Sequence, residues 1–523
     1  MSASREKKQR QGAGPSEKAL LAQQQQAARK RKTITYTAVG VVIAGLVAAL
    51  LIWNSGFFQA RATAATVGDA SLSTAELGYY YHVARNRFNS TMSMFGGSGL
   101  DNSKSDAEQM YNQEENKSYR DYFLESALTT VQQELALSAE AKKNGHTEAE
   151  VKEDVDAQIK AFKNQAAAYG YSYSAFLRAN YGSYMNGGLF EKVLTRNLLA
   201  QIAENEKSKE LSGGYSTDDL EAYYKEDDHA DTYDTFEYSY LYFTPETVET
   251  KDKDGNDIDE EKVKTLKEQA LADAKAQADE ALKALKDGDK LADVAKKYDL
   301  KDSSIADHTT NVGTSGISSA IKEDLLKLKE GEYKLVENGE SGYYVITFHG
   351  RERVDEATKT VRHILVTADY TTGEDGKYVA PTDEAWAAAK EKMDAIVAEF
   401  EGGDKSEDSF AKLANEKSAD SDGTDGGLYE DVAQNEFVSE FNDWMFDDAR
   451  KPGDTGVVQH SAAEGATSGY YGYHFIYLVG DGEVKWARDV RSALTEQDLK
   501  AWKEELGKGF QTALAGGADH LGN

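Results

Sequence analysis

The stretch that decides the fold of this chain is Val361-Arg362-His363-Ile364-Leu365-Val366. A second stretch of the same character lies downstream, Tyr471-Gly472-Tyr473-His474-Phe475-Ile476-Tyr477-Leu478. Both are rich in apolar and aromatic residues and predict short buried strands. A single histidine inside such a strand is most often only a hydrogen-bonded core residue. Two such strands side by side would, however, bring His363 and His474 together at the centre of one sheet.

Composition limits the class of protein. A chain of 523 residues has room for three or four domains of about 150 residues. Its 40% hydrophobic and 29% charged residues are typical of a mostly globular protein. The net charge of -31 argues against a nucleic-acid partner, because phosphate binding needs a basic surface. The lack of cysteine excludes disulfides, thiolate metal sites, cysteine nucleophiles and lipid attachment through cysteine.

The N-terminal region differs in charge from the rest. Residues 1–33 carry nine basic and two acidic side chains, a net charge of +7, and predict a basic cytoplasmic tail. Residues 34–53 contain no charge, and their length matches a transmembrane helix. Because basic residues precede this segment, we expect a single-pass cell-membrane protein whose N-terminus is cytoplasmic and whose bulk is extracytoplasmic. A cleaved signal peptide is the alternative.

The next region, residues 65–230, favours long helices and is rich in tyrosine, including Tyr169 and Tyr171. A helix is predicted over residues 173–207. Either its aromatic residues pack a core, or they form an exposed surface that holds unfolded chains. The C-terminal region, residues 486–523, begins with a predicted helix over 486–514. It is too short to fold alone, so we expect it to complete the helical domain.

Between these helical regions the sequence repeats one pattern. Each copy predicts a strand, a long helix, a short helix and a closing strand. Tyr240 lies 123 positions before His363, and Tyr344 lies 130 positions before His474. The repeat predicts two modules, residues 233–352 and residues 358–483.

The second module resembles the parvulin family of peptidyl-prolyl cis-trans isomerases. The resemblance covers residues 358–483, and its motifs appear in the family's order. They are Val361 to Val366, Phe410-Ala411-Lys412-Leu413-Ala414, Ser418-Ala419-Asp420, Gly426-Gly427-Leu428, Phe437-Val438-Ser439-Glu440-Phe441, Lys451-Pro452-Gly453-Asp454 and Gly472-Tyr473-His474-Phe475-Ile476. The whole layout is similar to the membrane-anchored extracytoplasmic foldases of the PrsA type and to the periplasmic SurA type. Those of the PrsA type are commonly lipoproteins, which this chain cannot be without cysteine.

This resemblance implies an α+β fold class. The expected architecture is a single N-terminal transmembrane helix, a helical chaperone domain and two parvulin-like modules, each an antiparallel sheet with surrounding helices. It also implies the site. The catalytic residues would be His363, Asp420 and His474, and the prolyl pocket would be lined by Leu428, Phe437 and Phe441. No metal and no cofactor are implied.

One position departs from the family pattern. The hydroxyl residue that usually lies five before the second histidine is Gly469 here. Ser468 or Thr467 would have to replace it, since the loop is longer. The first module departs further, because it has Tyr240 and Tyr344 in place of the histidines and Lys301 near the place of Asp420. We therefore expect the first module to lack isomerase activity and to serve as a spacer or binding surface.

The residue types suit the chemistry of prolyl isomerisation. Turning a peptide bond has a barrier of about 18–20 kcal/mol because conjugation is lost at the midpoint. The site needs an apolar grip on the ring and polar groups that favour the twisted amide, and it needs no covalent intermediate. The two histidines would then be architectural and electrostatic rather than proton shuttles. No basic cluster follows Val366, which argues against phosphate-directed specificity.

The predicted function is thus a peptidyl-prolyl isomerase and chaperone. Its partners would be unfolded or newly secreted polypeptides containing Xaa-Pro, with a membrane contact through the N-terminal helix and a homodimer left open. A holdase chaperone without isomerase activity is the main alternative, and an adaptor for one folded partner is a third. Residues 252–261 are acidic, but Gly255 is fourth where a calcium loop needs its glycine sixth, so they predict a solvated turn.

Overall fold

The computed structural model describes residues 30, 32, 36–47, 56–97, 99–226, 228–373, 375–420 and 426–522. Residue contacts divide the chain into two compact units. The first joins residues 1–211 to residues 497–523, and the second is residues 212–496. Both units contain helices and strands. Most of the predicted basic tail lies outside the described residues.

The predicted membrane-spanning helix over residues 34–53 is wrong, and the predicted fold class is corrected in that part. None of the helices in the described ranges has the length and apolar character needed to cross a membrane. The helical run described there is residues 36–47. Residues 33–35 and 48–55 lie outside the described residues.

The first unit is mainly helical. Its helices are α1 (Phe57–Arg61), α2 (Thr74–Met94), α3 (Tyr119–Lys143), α4 (Lys152–Ala168), α5 (Tyr173–Tyr181) and α6 (Gly187–Gly214). Its strands up to this point are β1 (Thr63–Val67), β2 (Ala70–Ser73), β3 (Met110–Asn112) and β4 (Lys117–Ser118). The single helix predicted over residues 173–207 is two helices. The first ends at Gly182, whose φ of +97° is one that favours glycine.

A buried ionic network joins three helices of this unit. The Arg196 guanidinium of α6 donates at 2.7 Å to Glu76 of α2 and at 2.7 Å to Glu134 of α3. The Tyr80 hydroxyl donates to Glu134 at 2.6 Å. All four side chains are buried. Such charges are tolerated in a core only when they are paired, so the network requires all its members.

The second unit begins with the first module. Its elements are α7 (Thr217–Lys225), α8 (Ala230–Tyr233), β5 (Asp234–Phe243), α9 (Glu260–Lys286), α10 (Leu291–Lys297), β6 (Ile305–Val312), α11 (Ser319–Leu325), β7 (Tyr333–Glu337) and β8 (Tyr343–Arg353). The four strands form an antiparallel sheet in the order β6-β5-β8-β7.

The second module follows directly. Its elements are β9 (Ala357–Thr367), β10 (Thr371–Thr372), β11 (Tyr378–Val379), α12 (Asp383–Gly402), α13 (Glu407–Lys417), β12 (Leu428–Val432), α14 (Ser439–Met445), β13 (Thr455–Ser461) and β14 (Tyr471–Val484). Its main antiparallel sheet has the order β12-β9-β14-β13. Strand for strand, this is the order of the first module.

The chain ends with α15 (Lys485–Gly507) and β15 (Thr512–Leu514). The predicted helix over 486–514 therefore stops early, at Gly507. The residues beyond it pair with β1, which gives the first unit a sheet in the order β15-β1-β2. Arg120 of α3 holds the end of the chain by donating to the carbonyl groups of Ala518 and Leu521 at 2.9 and 2.7 Å.

The sheet of the second module buries both faces. One face packs on α12 and α13, with Phe410 and Phe475 in its core. The other packs on α14, with Val361, Phe441 and Ile476 in its core. Because side chains alternate along a strand, the residues between those of the first core point towards α14. The strand pattern thus puts both histidines on the α14 face.

Candidate active site

The two sheet histidines meet on the α14 face of the second module. His363 of β9 lies opposite Ile476 of β14, and His474 lies opposite Leu365, so the two imidazoles are diagonal neighbours. Their ring centroids are 5.2 Å apart, and their Nδ1 atoms are 3.2 Å apart. The exposed fractions of His363 and His474 are 5% and 3%. The two imidazoles are therefore buried within the module and hydrogen bonded to each other.

Asp420 reaches this pair from the segment that follows α13. The Ser418 hydroxyl accepts from the amides of Leu365 and Asp420, and the Ala419 amide donates to the Leu365 carbonyl at 2.8 Å. These bonds dock the segment along β9. They bring Asp420 Oδ2 to 2.8 Å from His363 Nε2. Residues 421–425, which come next, lie outside the described residues.

The two glycines of the family motif allow β12 to approach β9 closely. The His363 amide donates to the Gly427 carbonyl at 2.9 Å. Gly427 has φ of +66°, and a Cβ atom there would lie 2.2 Å from the His363 carbonyl oxygen. Only glycine fits at this position. The motif therefore fixes the backbone on which the first histidine sits.

Aromatic rings stand against His363 on the side of α14. Phe441 is 1% exposed, and its ring centroid lies 5.5 Å from that of His363 and 5.3 Å from that of His474. Phe437 packs on Phe441 at 4.8 Å. Tyr429 of β12 lies 5.2 Å from Phe437 and 5.1 Å from His363. These rings form an apolar wall beside the polar groups.

One predicted pocket residue is placed elsewhere. Leu428 pairs with Arg362 on β9, and directly paired residues of an antiparallel sheet point to the same face. Arg362 bonds Glu407 of α13, so this face is the one away from the histidines. Tyr429, the next residue, takes the place predicted for Leu428. Its hydroxyl donates to Asp420 Oδ2 at 2.7 Å.

A second tyrosine supplies the hydroxyl that the sequence lacks at Gly469. The Tyr470 hydroxyl lies 2.9 Å from His474 Nε2. The sequence suggested Ser468 or Thr467 for this role. Tyr470 was not predicted, because it lies four residues before His474 and not five. Tyr429 is the aromatic residue next to Leu428 and could have been considered for the pocket, but nothing in the sequence pointed to Tyr470.

Burial keeps both imidazoles neutral. It lowers the pKa of His363, and the Asp420 carboxylate opposes part of that shift. Burial, followed by the neighbouring His363 and His460, lowers the pKa of His474 to about 3. Burial also raises the pKa of the Tyr470 phenol, followed by the charges of Asp420 and Glu440. The polar groups of the site are thus two neutral imidazoles, two phenol hydroxyls and the Asp420 carboxyl group.

The first module has the same frame with different side chains. Tyr240 lies opposite Ile346, as His363 lies opposite Ile476. The ring centroids of Tyr240 and Tyr344 are 5.5 Å apart and nearly perpendicular. Lys301 lies exposed just before a short 3-10 helix. Two phenol rings therefore occupy the places of the two imidazoles.

The part of the chain that the structure describes contains no group of three or more histidine, aspartate or glutamate side chains placed to hold a metal ion. The site itself offers an apolar wall, the Asp420 carboxyl group and hydrogen-bonding groups held by one another. Such a site suits a reaction that changes conformation without making or breaking covalent bonds.

Comparison with known families identifies the domain. Residues 343–465 match the family model for the PPIC-type PPIASE domain. The predicted resemblance to parvulins is therefore confirmed, and the chain carries a parvulin-type peptidyl-prolyl cis-trans isomerase domain. The match begins in β8 and ends before β14, so it includes His363 and Asp420 but stops short of His474.

Solved structures of PrsA peptidyl-prolyl isomerases also match. The Bacillus anthracis protein is 15% identical, with 43% of this chain and 77% of that chain covered and a TM-score of 0.18. The Bacillus subtilis protein is 17% identical, with 45% and 75% covered and a TM-score of 0.16. The Bacillus cereus protein is 13% identical, with 77% and 91% covered and a TM-score of 0.17. At these TM-scores the matches support no structural conclusion. No curated protein matches the chain.

Proposed function

We propose that the parvulin-type domain turns Xaa-Pro peptide bonds in unfolded or newly secreted polypeptides, with His363, Asp420 and His474 as its polar centre. The observation that carries this proposal is the meeting of these three side chains beside the buried ring of Phe441. A predicted location outside the cytoplasm fits such clients and stays a prediction.

The proposed catalysis rests on the difference between a planar and a twisted amide. Conjugation in the planar amide places negative charge on the carbonyl oxygen, and twisting removes it. An apolar, water-poor site stabilises the planar form less than water does. The Asp420 carboxylate, placed near that oxygen, would raise the energy of the planar form further. Both effects favour the twisted midpoint, which is how a site accelerates a conformational step.

The proposed grip on the proline ring is aromatic. Phe437 and Phe441 present rings at an angle to each other, and Tyr429 closes the same side. A pyrrolidine ring is apolar, so burial against these rings would hold the prolyl side of the bond while the other side turns. The rigid hydrogen-bonded pair beneath the rings would keep them in place.

The first module is proposed to lack this activity. Tyr240 and Tyr344 offer no counterpart to the imidazole and carboxylate pairing of the second module. A phenol pair at this position is compatible with a spacer or a binding surface, as the sequence predicts.

A chaperone activity of the first unit is the second candidate, and exposed apolar side chains favour it. Met94 and Phe95, at the end of α2, are each 84% exposed. Tyr169 and Tyr171, between α4 and α5, are 67% and 53% exposed. Large apolar side chains in water are costly unless they meet a partner. We propose that these positions contact unfolded clients.

An isomerisation assay on the full chain tests the catalytic proposal. The rate of cis-trans exchange of a short Xaa-Pro peptide is measured with wild type, His363→Ala and the control His308→Ala, which alters an exposed histidine of the first module. We expect catalysis by wild type and the control and its loss in His363→Ala. Wild type that does not accelerate exchange, yet suppresses aggregation of an unfolded protein, would leave the holdase alternative.

The chaperone proposal has a separate test. Met94→Ser with Phe95→Ser should weaken suppression of aggregation while leaving peptide isomerisation within about twofold of wild type, because these residues lie in the first unit. Equal suppression by wild type and the double variant would contradict a role for this segment.

A further inference from the structure

The active site contains a continuous chain of hydrogen bonds that begins outside the predicted set of residues. Tyr470 lies 2.9 Å from His474 Nε2, His474 Nδ1 lies 3.2 Å from His363 Nδ1, and His363 Nε2 lies 2.8 Å from Asp420 Oδ2. The Tyr429 hydroxyl donates to the same oxygen at 2.7 Å. Five side chains from four parts of the second module are thus linked in one line.

The direction of every bond in this line follows from its acidic end. Asp420 Oδ2 receives two partners, and a carboxylate with two donors is favoured in its charged, acceptor-only form. His363 must then carry its proton on Nε2, which leaves its Nδ1 as the acceptor. His474 must carry its proton on Nδ1, which leaves its Nε2 as the acceptor. The remaining partner, Tyr470, must donate.

The local backbone explains why a tyrosine holds this place. Gly469 has φ of +110°, a conformation that is strained for a residue with a side chain. A serine or threonine at Gly469 would have to adopt it. The turn therefore excludes the hydroxyl residue expected there, and the next residue along the chain supplies the hydroxyl through a longer side chain. The Tyr470 ring also packs on His460 at 4.8 Å, which holds the phenol in position.

We propose that Tyr470 is a positioning residue of the isomerase, which donates to His474 and through it fixes the protonation pattern of His363 and the placement of Asp420. This proposal rests on the proposed function for its kinetic consequence but not for its structural one. Without the phenol, His474 Nε2 loses the Tyr470 hydroxyl as its donor, and the orientation of the imidazole is held by one hydrogen bond fewer. A less ordered His474 would in turn hold the His363 imidazole less firmly in its hydrogen bond to Asp420.

The test uses the full chain with Tyr470→Phe, which removes only the hydroxyl. The matched control is Tyr473→Phe, because Tyr473 lies on the opposite face of the same strand, against Trp386. Two readouts are compared: the steady-state constants for an Xaa-Pro peptide, and the nitrogen-15 chemical shifts of the nine histidines in selectively labelled protein.

We expect Tyr470→Phe to lower kcat/KM about tenfold, the equivalent of about one hydrogen bond. The loss should fall on kcat, since the rings that grip proline are unchanged. The signal of His474 Nε2 should move to the value of a nitrogen without a donor, and the His363 Nε2 signal should move with it. Tyr473→Phe should change neither readout.

Unchanged nitrogen signals in Tyr470→Phe would overturn the proposal, whatever the kinetics. So would changed signals together with kcat within twofold of wild type. If wild type itself proves inactive towards the peptide, the proposed function fails, and the nitrogen signals alone still decide whether Tyr470 orders the pair.

Discussion

Acidification should destabilise this protein through His474. The pKa of this imidazole falls from its ordinary 6.5 to about 3 in the folded chain, first because of burial and then because of His363 and His460. The unfolded chain therefore binds the proton at a higher pH than the folded chain does. Stability from this group is fully present above about pH 6.5 and is lost as the pH falls towards about 3.

The size of the loss follows from the two pKa values. At about pH 5 the unfolded imidazole is almost fully protonated and the folded one almost not at all. The 1.5 units between the ordinary pKa of 6.5 and that pH correspond to about 2 kcal/mol, at about 1.4 kcal/mol per unit. His474 is 3% exposed, so solvent does not screen the effect. Burial lowers the pKa of His363 as well, and its contribution has the same sign.

The assay is urea unfolding, followed by tryptophan fluorescence, at about pH 7.5 and about pH 5. The wild type is compared with His474→Gln, whose side chain does not titrate in this range. Every other titrating group is common to both proteins. We expect the unfolding free energy of the second unit to fall about 2 kcal/mol further in wild type than in the variant. His308→Gln, which changes a 62% exposed side chain, should lose as much as wild type.

Equal losses in wild type and His474→Gln would refute this reasoning. That result would mean that the imidazole is solvated or already charged in the folded chain. The neutral pair, and with it the directed line of hydrogen bonds, would then be wrong.

Other predictions concern single side chains. Asp420→Asn should lower kcat about 100-fold in the peptide exchange assay, since losing a preorganised electrostatic group typically costs about that much; Asp394→Asn, which alters an exposed ion pair on α12, should stay within about twofold, and an equal effect of both would contradict a role for Asp420. Phe441→Ala should lower the unfolding free energy by about 3–5 kcal/mol in urea titration, because a fully buried ring leaves a cavity; a loss below about 1 kcal/mol would contradict its burial. Arg196→Leu should destabilise the first unit by about 3–5 kcal/mol, because it leaves Glu76 buried without its guanidinium; unfolding at the wild-type urea concentration would contradict the network.

The repeated sheets could be predicted because local signals determine them. The runs around His363 and His474 are almost continuously apolar or aromatic, which indicates strands buried on both faces, and a shift of one residue would turn each histidine to the other face. The offset of 123 positions between Tyr240 and His363 is close to the 130 positions between Tyr344 and His474, so each copy of the pattern supports the other. Both sequence patterns correspond to strands β5, β9, β8 and β14 in the structure.

The pocket residues were harder to assign because they depend on register and turns. Strand β12 has an irregular register between Tyr429 and Val432, and the face that each residue takes depends on it. The family resemblance implied Leu428 at the site, but Leu428 pairs with Arg362 and Tyr429 pairs with Val361, so Tyr429 is the residue that faces the histidines. Tyr470 was missed because its position depends on the unusual backbone at Gly469, which no residue pattern reveals.

The predicted helices over residues 173–207 and 486–514 and the predicted membrane-spanning helix differ from the structure. A continuous helical pattern over residues 173–207 does not show that Gly182 adopts a conformation that ends a helix. The residues from 486 to 514 favour a helix by propensity, but Thr512–Leu514 form a strand that is hydrogen bonded to β1. For residues 34–53, none of the helices that the structure describes is long and apolar enough to cross a membrane.

The pairing of β15 with β1 sets an order of events during synthesis. Residues 63–67 leave the ribosome long before residues 512–514, so the first unit cannot close its three-stranded sheet until residues 512–514 have been made. The second unit has all its strands once residue 484 has emerged. The sheets of the second unit, including that of the isomerase domain, can therefore form before the sheet of the first unit is complete. Deletion of residues 512–514 would remove a strand from the first unit and none from the isomerase domain.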